Sequence, residues 1–384
     1  MANILMIVPE LNCGGGLQKI SLQLSQKLIE RGHSIIIVDE NNPLDAYLQE
    51  FELNNKFLKI EAFECKEENY NFFSQIIKDY NIDLIIYQGF YKKISCFLEG
   101  WKRKNNTRII SVFHNSPDCI LPKGISSLSK DTKGVIKAAV YPLYYAYSKI
   151  KVKEFLIRPY KFSDKIILLS HTFIPIYKSL TGVSQKISVI PNFIDGKNSG
   201  LSIARKKQII YIGRLEEQAK KVSRIMKIWE KISIINPEWK LIIAGEGSYR
   251  QEYENYAIKH AIRGVEFAGY ISNPSNLYAE SSILLMTSDF EGFPMVLIEG
   301  MSNGCVPIAY KSFASVTDII DDGNNGVLVT PFKENEYITK LLSLMNNEEY
   351  LAKLSFNSMM KANEFSSKQI IPLWNEVIEE VVNK

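Results

Sequence analysis

The sequence predicts an α/β protein built from two Rossmann-like halves. Short, uninterrupted apolar runs of strand length, such as Ile283-Leu284-Leu285-Met286, recur between amphipathic stretches of helical length. Uninterrupted runs suit parallel strands covered on both faces, and the alternation implies right-handed βαβ units. The pattern occurs twice, separated by the polar stretch Asp195 to Arg205, and 384 residues exceed what one core usually serves. The expected limits are residues 1–195 and 196–366, followed by a closing segment, 367–384, with an amphipathic helix over Ser367 to Val382.

In the first half, Asn3 to Val8 reads as a buried strand. No basic residue precedes it and Pro9-Glu10 ends it, so it is too short and wrongly flanked for a secretory signal. Leu17 to Arg31 is an amphipathic helix that Gly32 stops. Strands follow at Ser34 to Val38, Lys59 to Phe63, Asp83 to Tyr87, Arg108 to Phe113 and Lys165 to Leu169, and Ser188 to Asn192 ends the half. The second half places strands at Ile209 to Ile212, Lys240 to Ala244, Val265 to Phe267, Ile283 to Met286, Val306 to Ala309 and Val327 to Val329.

Composition narrows the function. With 46% hydrophobic and 23% charged residues the chain is globular rather than disordered, and a net charge of +4 is too small to argue for nucleic acid. The five cysteines, Cys13, Cys65, Cys96, Cys119 and Cys305, form no C-x-x-C pair, which argues against zinc; an odd count suits a reducing compartment. No apolar run approaches the roughly 20 residues needed to cross a bilayer.

The candidate site begins with Glu291 and Glu299, which have seven residues between them where a strand-end loop runs into a helix. Pro294 suits the first turn of that helix, which continues to Met301. Ligands of open α/β sheets bind at the carboxyl ends of the strands, and the N–H groups of Gly292, Phe293 and Met295 would lie at a helix N-terminus. Two readings stand: a pair of solvated glutamates, or carboxylates that accept hydrogen bonds from a hydroxyl-rich ligand. Upstream, Tyr211-Ile212-Gly213-Arg214-Leu215 is a strand ending in Gly-Arg, and Gln218-Ala219-Lys220-Lys221-Val222 enters a helix. Arg214 and Lys220 have the chemistry to stabilise the charge of a departing diphosphate without a metal, with Lys221 a competing candidate.

The glutamate segment, with Met301, Gly304 and Pro307, resembles the paired-glutamate motif of family 4 glycosyltransferases, retaining enzymes of GT-B architecture. The Gly213-Arg214-Leu215 and Lys220 segments resemble two further motifs of that family, in the expected order, although Ser223 replaces a frequent Asp. The resemblance implies two Rossmann-like domains facing a central cleft. The first domain would take the acceptor, the second the nucleotide sugar, and the last helix would cross back to the first. It also implies that Glu299 grips the ribose, Glu291 the sugar hydroxyls, and Arg214 and Lys220 the diphosphate.

Gly14-Gly15-Gly16, between the first strand and its helix, reads either as a tight turn or as a place where a phosphate or sugar approaches backbone amides. Gly15 to Lys19 resembles the family's Gly-Gly-Ala-Glu-Arg loop, with Gln18 and Lys19 replacing Glu and Arg. His114 follows a strand, and the resemblance places it near the transferred sugar as a hydrogen-bonding residue; His33, His171 and His260 read as structural. Gly245-Glu246-Gly247 resembles the turn bordering the nucleotide, with Ile271 to Asn276 at the base; an ordinary strand-to-helix turn is the other reading. Lys133 to Arg158 interleaves Lys with Tyr, Leu and Ile, and reads either as a helix packed on its own domain or as a peripheral membrane contact.

The expected activity is retaining transfer of a hexose or N-acetylhexosamine from a nucleotide sugar, UDP ahead of GDP or ADP. The acceptor would be a glycan or lipid-linked saccharide in bacterial surface polysaccharide or lipopolysaccharide assembly. The expected location is cytoplasmic, or peripheral on the inner face of the plasma membrane. The absence of a D-x-D motif points to no required metal, and no tightly bound cofactor is expected. The rivals are a non-catalytic GT-B subunit and a nucleotide-sugar 2-epimerase.

Overall fold

The computed structural model describes residues 1–11, 15–40, 56–60, 62–122, 132–195 and 205–383, and for 132–140 the backbone alone. Gly14, Cys13 and most of the polar stretch between Asp195 and Arg205 lie outside the described residues. The chain forms two compact units, Met1–Pro191 with Ile371–Lys384, and Asn192–Ile370.

The first unit holds a seven-stranded sheet. Its strands are β1 (Asn3–Ile7), β2 (Ser34–Asp39), β3 (Lys56–Lys59), β4 (Leu84–Gln88), β5 (Arg108–Phe113), β6 (Lys165–Leu168) and β7 (Ile187–Val189), ordered β3-β2-β1-β4-β5-β6-β7. All pairings are parallel, for example Ile4 with Ile35 and with Leu84. The helix after β1 runs Gly16–Glu30, and Gly32, at φ +91°, supplies the left-handed turn that returns the chain to β2. On one face of the sheet, Phe63, Phe73, Phe97 and Trp101 interlock edge to face, with ring centroids 5.0 to 6.4 Å apart.

The third strand differs from the sequence expectation of Lys59 to Phe63. Lys56 to Lys59 pair with Ile36 to Asp39, and only the Ile60 N–H extends the ladder, to the Asp39 carbonyl. Ile60 and Phe63 owe their apolar character to packing within the core cluster rather than to pairing. Glu61 lies outside the described residues.

The second unit holds six parallel strands, β8 (Gln208–Ile212), β9 (Lys240–Ala244), β10 (Val265–Gly269), β11 (Ile283–Met286), β12 (Val306–Tyr310) and β13 (Val327–Val329), ordered β10-β9-β8-β11-β12-β13. The helix Val222–Ile232 buries Val222, Ile225, Met226, Trp229 and Ile232 on one stripe, which is the i, i+3, i+4 pattern that a sheet-covering helix needs. In both sheets the chain starts at the centre, winds to one edge and then to the other. The reversal falls between β1 and β4 in the first sheet and between β8 and β11 in the second.

The final helix, Ser367–Val382, belongs to the first unit from Ile371 onward. Trp374, Ile378 and Val381 are buried, and Glu380 pairs with Lys165 at 2.8 Å.

Candidate active site

The chain reverses between β8 and β11, and the carboxyl ends of two such strands are where open α/β sheets take ligands. Gly213 and Arg214 follow β8, and Thr287 to Glu291 follow β11. Backbone hydrogen bonding joins the two loops. The Asp289 N–H donates to the Ala219 carbonyl at 2.8 Å, and the Thr287 hydroxyl to the Lys221 carbonyl at 3.1 Å. Lys221 itself caps the following helix in a left-handed conformation, φ +54°.

These ties set Lys220 against Glu291. The Lys220 Nζ lies 2.7 and 2.9 Å from the two carboxylate oxygens, and the Ser288 hydroxyl donates to Oε1 at 2.6 Å. Glu291 is buried, with 9% of its surface exposed. An ionised carboxylate has about four acceptor positions, and among the described residues the Lys220 ammonium and the Ser288 hydroxyl fill three of them. The family resemblance implies separate tasks for the two side chains, sugar and diphosphate; the fold joins them in one ion pair. Arg214 is different: its side chain is 78% exposed, and its one ion pair among the described residues is a loose one with Glu216 at 3.6 Å. It extends into solvent.

Pro294 is not in the first turn. It is the cap residue, extended at ψ 96°, and the helix is Met295–Ser302, with the Leu297 N–H bonding to the Pro294 carbonyl at 3.1 Å. The cap position uses the carbonyl of Pro294 while its lacking an N–H costs nothing there. The Gly292 carbonyl accepts from the Ser315 hydroxyl at 2.6 Å, and the Phe293 ring is core, packed on Phe365 with centroids 5.7 Å apart. Met295 opens the helix half-buried. Glu299, about one turn along the helix and half-buried, accepts from the Tyr278 hydroxyl at 3.1 Å; among the described residues that is its one hydrogen-bonded partner for the carboxylate.

Gly245 has a firm structural cause. At φ +139°, a Cβ there would lie 1.9 Å from the Gly213 carbonyl oxygen, and its N–H bonds to the Gly269 carbonyl. The close approach of two strand-end loops is enough to require glycine.

In the first unit, Gly15 caps the helix with extended backbone, its N–H bonded to the Gln18 Oε1 at 3.1 Å, while the Gln18 amide donates to the Pro9 carbonyl at 2.9 Å. Gln18 thus turns inward and organises the loop. Gly16 opens the helix, and a Cβ there would meet nothing within 4 Å. His114 follows β5, with Nε2 2.7 Å from the Gln88 Oε1. An amide oxygen only accepts, so Nε2 carries the proton and Nδ1 is left as an acceptor. Burial pushes the imidazole down to about 4, so it is neutral near pH 7. His33 packs beside the final helix, and His260 pairs with Glu230 at 2.8 Å.

Arg224 and Asp289 escaped the sequence reading. The Arg224 guanidinium bonds to the Asp289 carboxylate and to the Thr287 carbonyl at 3.0 Å, and lies 4.4 Å from the Phe332 ring centre. Arg224 stands four positions after Lys220, and Asp289 two before Glu291. Among the described residues no three His, Cys, Asp or Glu side chains converge as a metal site, and no helix is long and apolar enough to cross a membrane.

The sequence pattern of the family described as "Glycosyl transferases group 1" matches residues 195–359, and that of "Glycosyltransferase Family 4" matches residues 14–197. The chain belongs to the group 1 glycosyltransferases. This group 1 glycosyltransferase is 28% identical over 242 residues to a Campylobacter jejuni protein named as an α-1,4-N-acetyl-D-galactosaminyltransferase acting on a PP-undecaprenol glycan; the match covers 62% of this chain and 66% of that one. It is 25% identical over 320 residues to a lipopolysaccharide 1,6-galactosyltransferase of Salmonella typhimurium, covering 80% and 79%. It spans between 40% and 66% of the length of the first three curated relatives it matches. Among solved structures, Anabaena HepE in complex with UDP superimposes with a TM-score of 0.77 at 16% identity, covering 98% of this chain and 100% of that one. At that identity the likeness shows the GT-B fold.

Proposed function

We propose that this group 1 glycosyltransferase is a retaining enzyme that moves a hexose or N-acetylhexosamine from a nucleotide sugar, UDP-linked, to a hydroxyl of a glycan or lipid-linked saccharide. The observation that carries the reading is the buried Lys220–Glu291 pair at the β8/β11 switch point, with the exposed Arg214 on the same loop. A UDP complex of a protein with the same fold, and relatives named for lipid-linked and lipopolysaccharide acceptors, support the choice of donor and acceptor. A cytoplasmic location, where nucleotide sugars are held, goes with that reading.

On this reading the diphosphate binds at the carboxyl ends of β8 and β11 and Arg214 turns from solvent onto it, while Lys220 supplies a second cation whose position Glu291 fixes. The fourth acceptor position of Glu291 takes a sugar hydroxyl, and Glu299 takes the ribose. The acceptor oxygen attacks the anomeric carbon as the bond to the β-phosphate breaks, on the same face, and a diphosphate oxygen receives the acceptor's proton. The Lys220 ammonium, held by Glu291, and the Arg214 guanidinium, drawn in by the diphosphate, stabilise the charge that develops on the leaving group. Neutral His114 offers Nδ1 to a hydroxyl and takes no part as a nucleophile.

The test is thermal unfolding with a panel of UDP, GDP and ADP sugars, followed by product analysis with a glycan acceptor. A ligand held 100-fold above its Kd adds about 2.7 kcal/mol. Selective stabilisation by a UDP sugar and an axial product linkage from an axial donor support the reading. Rearrangement or hydrolysis of the donor with no transfer, or stabilisation by none of the panel, sinks it.

A further inference from the structure

A cation is out of place at Arg224. The helix Val222–Ile232 holds it in the first turn, at the end where the helix dipole favours anions, and Lys220 and Lys221 already precede that turn. The anion that serves the helix start comes from Glu217, whose carboxylate accepts from the Ser223 hydroxyl and N–H. A residue that local rules disfavour is kept by its tertiary contacts. Those of Arg224 lie on other elements of the second unit: the Thr287 carbonyl at 3.0 Å, the Asp289 carboxylate, and the rings of Tyr310 and Phe332, centred 5.8 and 4.4 Å from the guanidinium carbon.

The segment that Arg224 grips is the one that places Lys220. The Asp289 N–H bonds to the Ala219 carbonyl and the Thr287 hydroxyl to the Lys221 carbonyl, so the chain is tied on either side of Lys220, and Ser288 between them donates to Glu291. The same segment also brings a second carboxylate. Asp289 stands two residues before Glu291, and an unpaired charge there would compete for the Lys220 ammonium. Arg224 occupies it, and among the described residues it is the one ion-pair partner of Asp289. We infer that Arg224 is a positioning residue: by taking up Asp289 it keeps Lys220 on Glu291, where the ammonium meets the diphosphate of the donor. The inference rests on the part that the transferase reading gives to Lys220, and adds what holds that lysine in place.

The experiment measures calorimetric Kd values of the full chain for UDP and for UMP, which lacks the second phosphate. The preference for UDP reports the cations that hold the diphosphate, whereas a general loss of structure weakens both nucleotides alike. Lys220→Ala should lower the preference by about tenfold or more. Arg224→Gln should lower it by about threefold to tenfold, with no further fall when it is added to Lys220→Ala. Arg224→Gln/Asp289→Asn, which also removes the competing charge, should regain the preference. Arg224→Lys, which keeps a cation on Asp289, should regain it too, and serves if the glutamine variant does not fold. The inference is overturned, and the transferase reading left standing, by a wild-type preference in Arg224→Gln or by a loss that persists once Asp289 is neutralised. A loss that adds in full to that of Lys220→Ala overturns it as well, because Arg224 then acts on the nucleotide without Lys220. A wild type that does not prefer UDP, or a Lys220→Ala variant that keeps the preference, removes the reading itself and the inference with it.

Discussion

Lys220 and Glu291 stand 71 positions apart in sequence, yet the ammonium group of one grips both oxygens of the other. The contact exists because β8 and β11 are hydrogen-bonded neighbours whose following loops are stitched together by Asp289 and Thr287. Removing one member leaves a mostly buried charge without its partner. Lys220→Ala should therefore destabilise the second unit by about 1–3 kcal/mol, whereas Glu291→Gln, which keeps the shape and an acceptor oxygen, should cost less. Thermal midpoints of the two single variants and the double variant check this; additive losses would show that the two side chains act independently.

Arg214 is the counterpart that stability does not need. Its guanidinium is mostly in water, and its pair with Glu216 is too loose to matter. Arg214→Ala should leave the thermal midpoint within error and lower kcat by roughly 10²–10³-fold, the loss seen when one hydrogen-bond donor to a developing negative charge is removed. Steady-state kinetics with donor and acceptor, set beside a melting curve, decides the matter. A fall in midpoint with kcat intact would make the arginine structural.

For His114 the sign can be worked out. Its folded value, about 4, lies below the unfolded value near 6.5, so between those limits the unfolded chain binds more protons. Its contribution to stability is complete above pH 6.5 and is lost as pH falls through the window from 6.5 to 4. His33 is also shifted down by burial, so the comparison must be with a variant. The midpoint of His114→Gln should fall less steeply than that of wild type over that window, and the activity of wild type should show no limb near pH 6.5. Superimposable slopes would contradict the burial argument.

Two glycines separate packing from ligand contact. Gly245→Ala drives a Cβ into the Gly213 carbonyl in a left-handed region, and it should destabilise strongly whatever the ligand. Gly16→Ala meets nothing and replaces glycine in the first turn of a helix, which should stabilise by about 0.4–1 kcal/mol. If that variant melts higher and still transfers poorly, the space above Gly16 is occupied by substrate. Unimpaired transfer would assign the residue no contact.

Much of the architecture could be read from the chain because buried parallel strands are continuous apolar runs. Arg108–Phe113, Lys240–Ala244, Ile283–Met286 and Val327–Val329 fall where the pattern put them. The third strand was misplaced because Ile60 and Phe63 are apolar for packing, a cause that periodicity does not distinguish from pairing. The site was legible as residue types at strand ends, but not as contacts. Nothing local in the sequence says that the lysine after one strand will neutralise the glutamate after another, or that Arg224 and Asp289 will form a second ion pair between the same segments. Gln88 was passed over because its pairing with His114 also depends on which strands are adjacent.

The order in which the polypeptide is synthesised bears on its last helix. Trp374, Ile378 and Val381 complete the unit that begins at Met1, so that unit emerges from the ribosome with an apolar gap and keeps it until some 180 further residues are made. At about 5–20 residues per second the wait is on the order of ten seconds or more. A fragment stopping at Pro191 inherits the gap permanently and should be recovered as aggregate, while the same fragment supplied with a peptide of residues 371–382 should be rescued into solution.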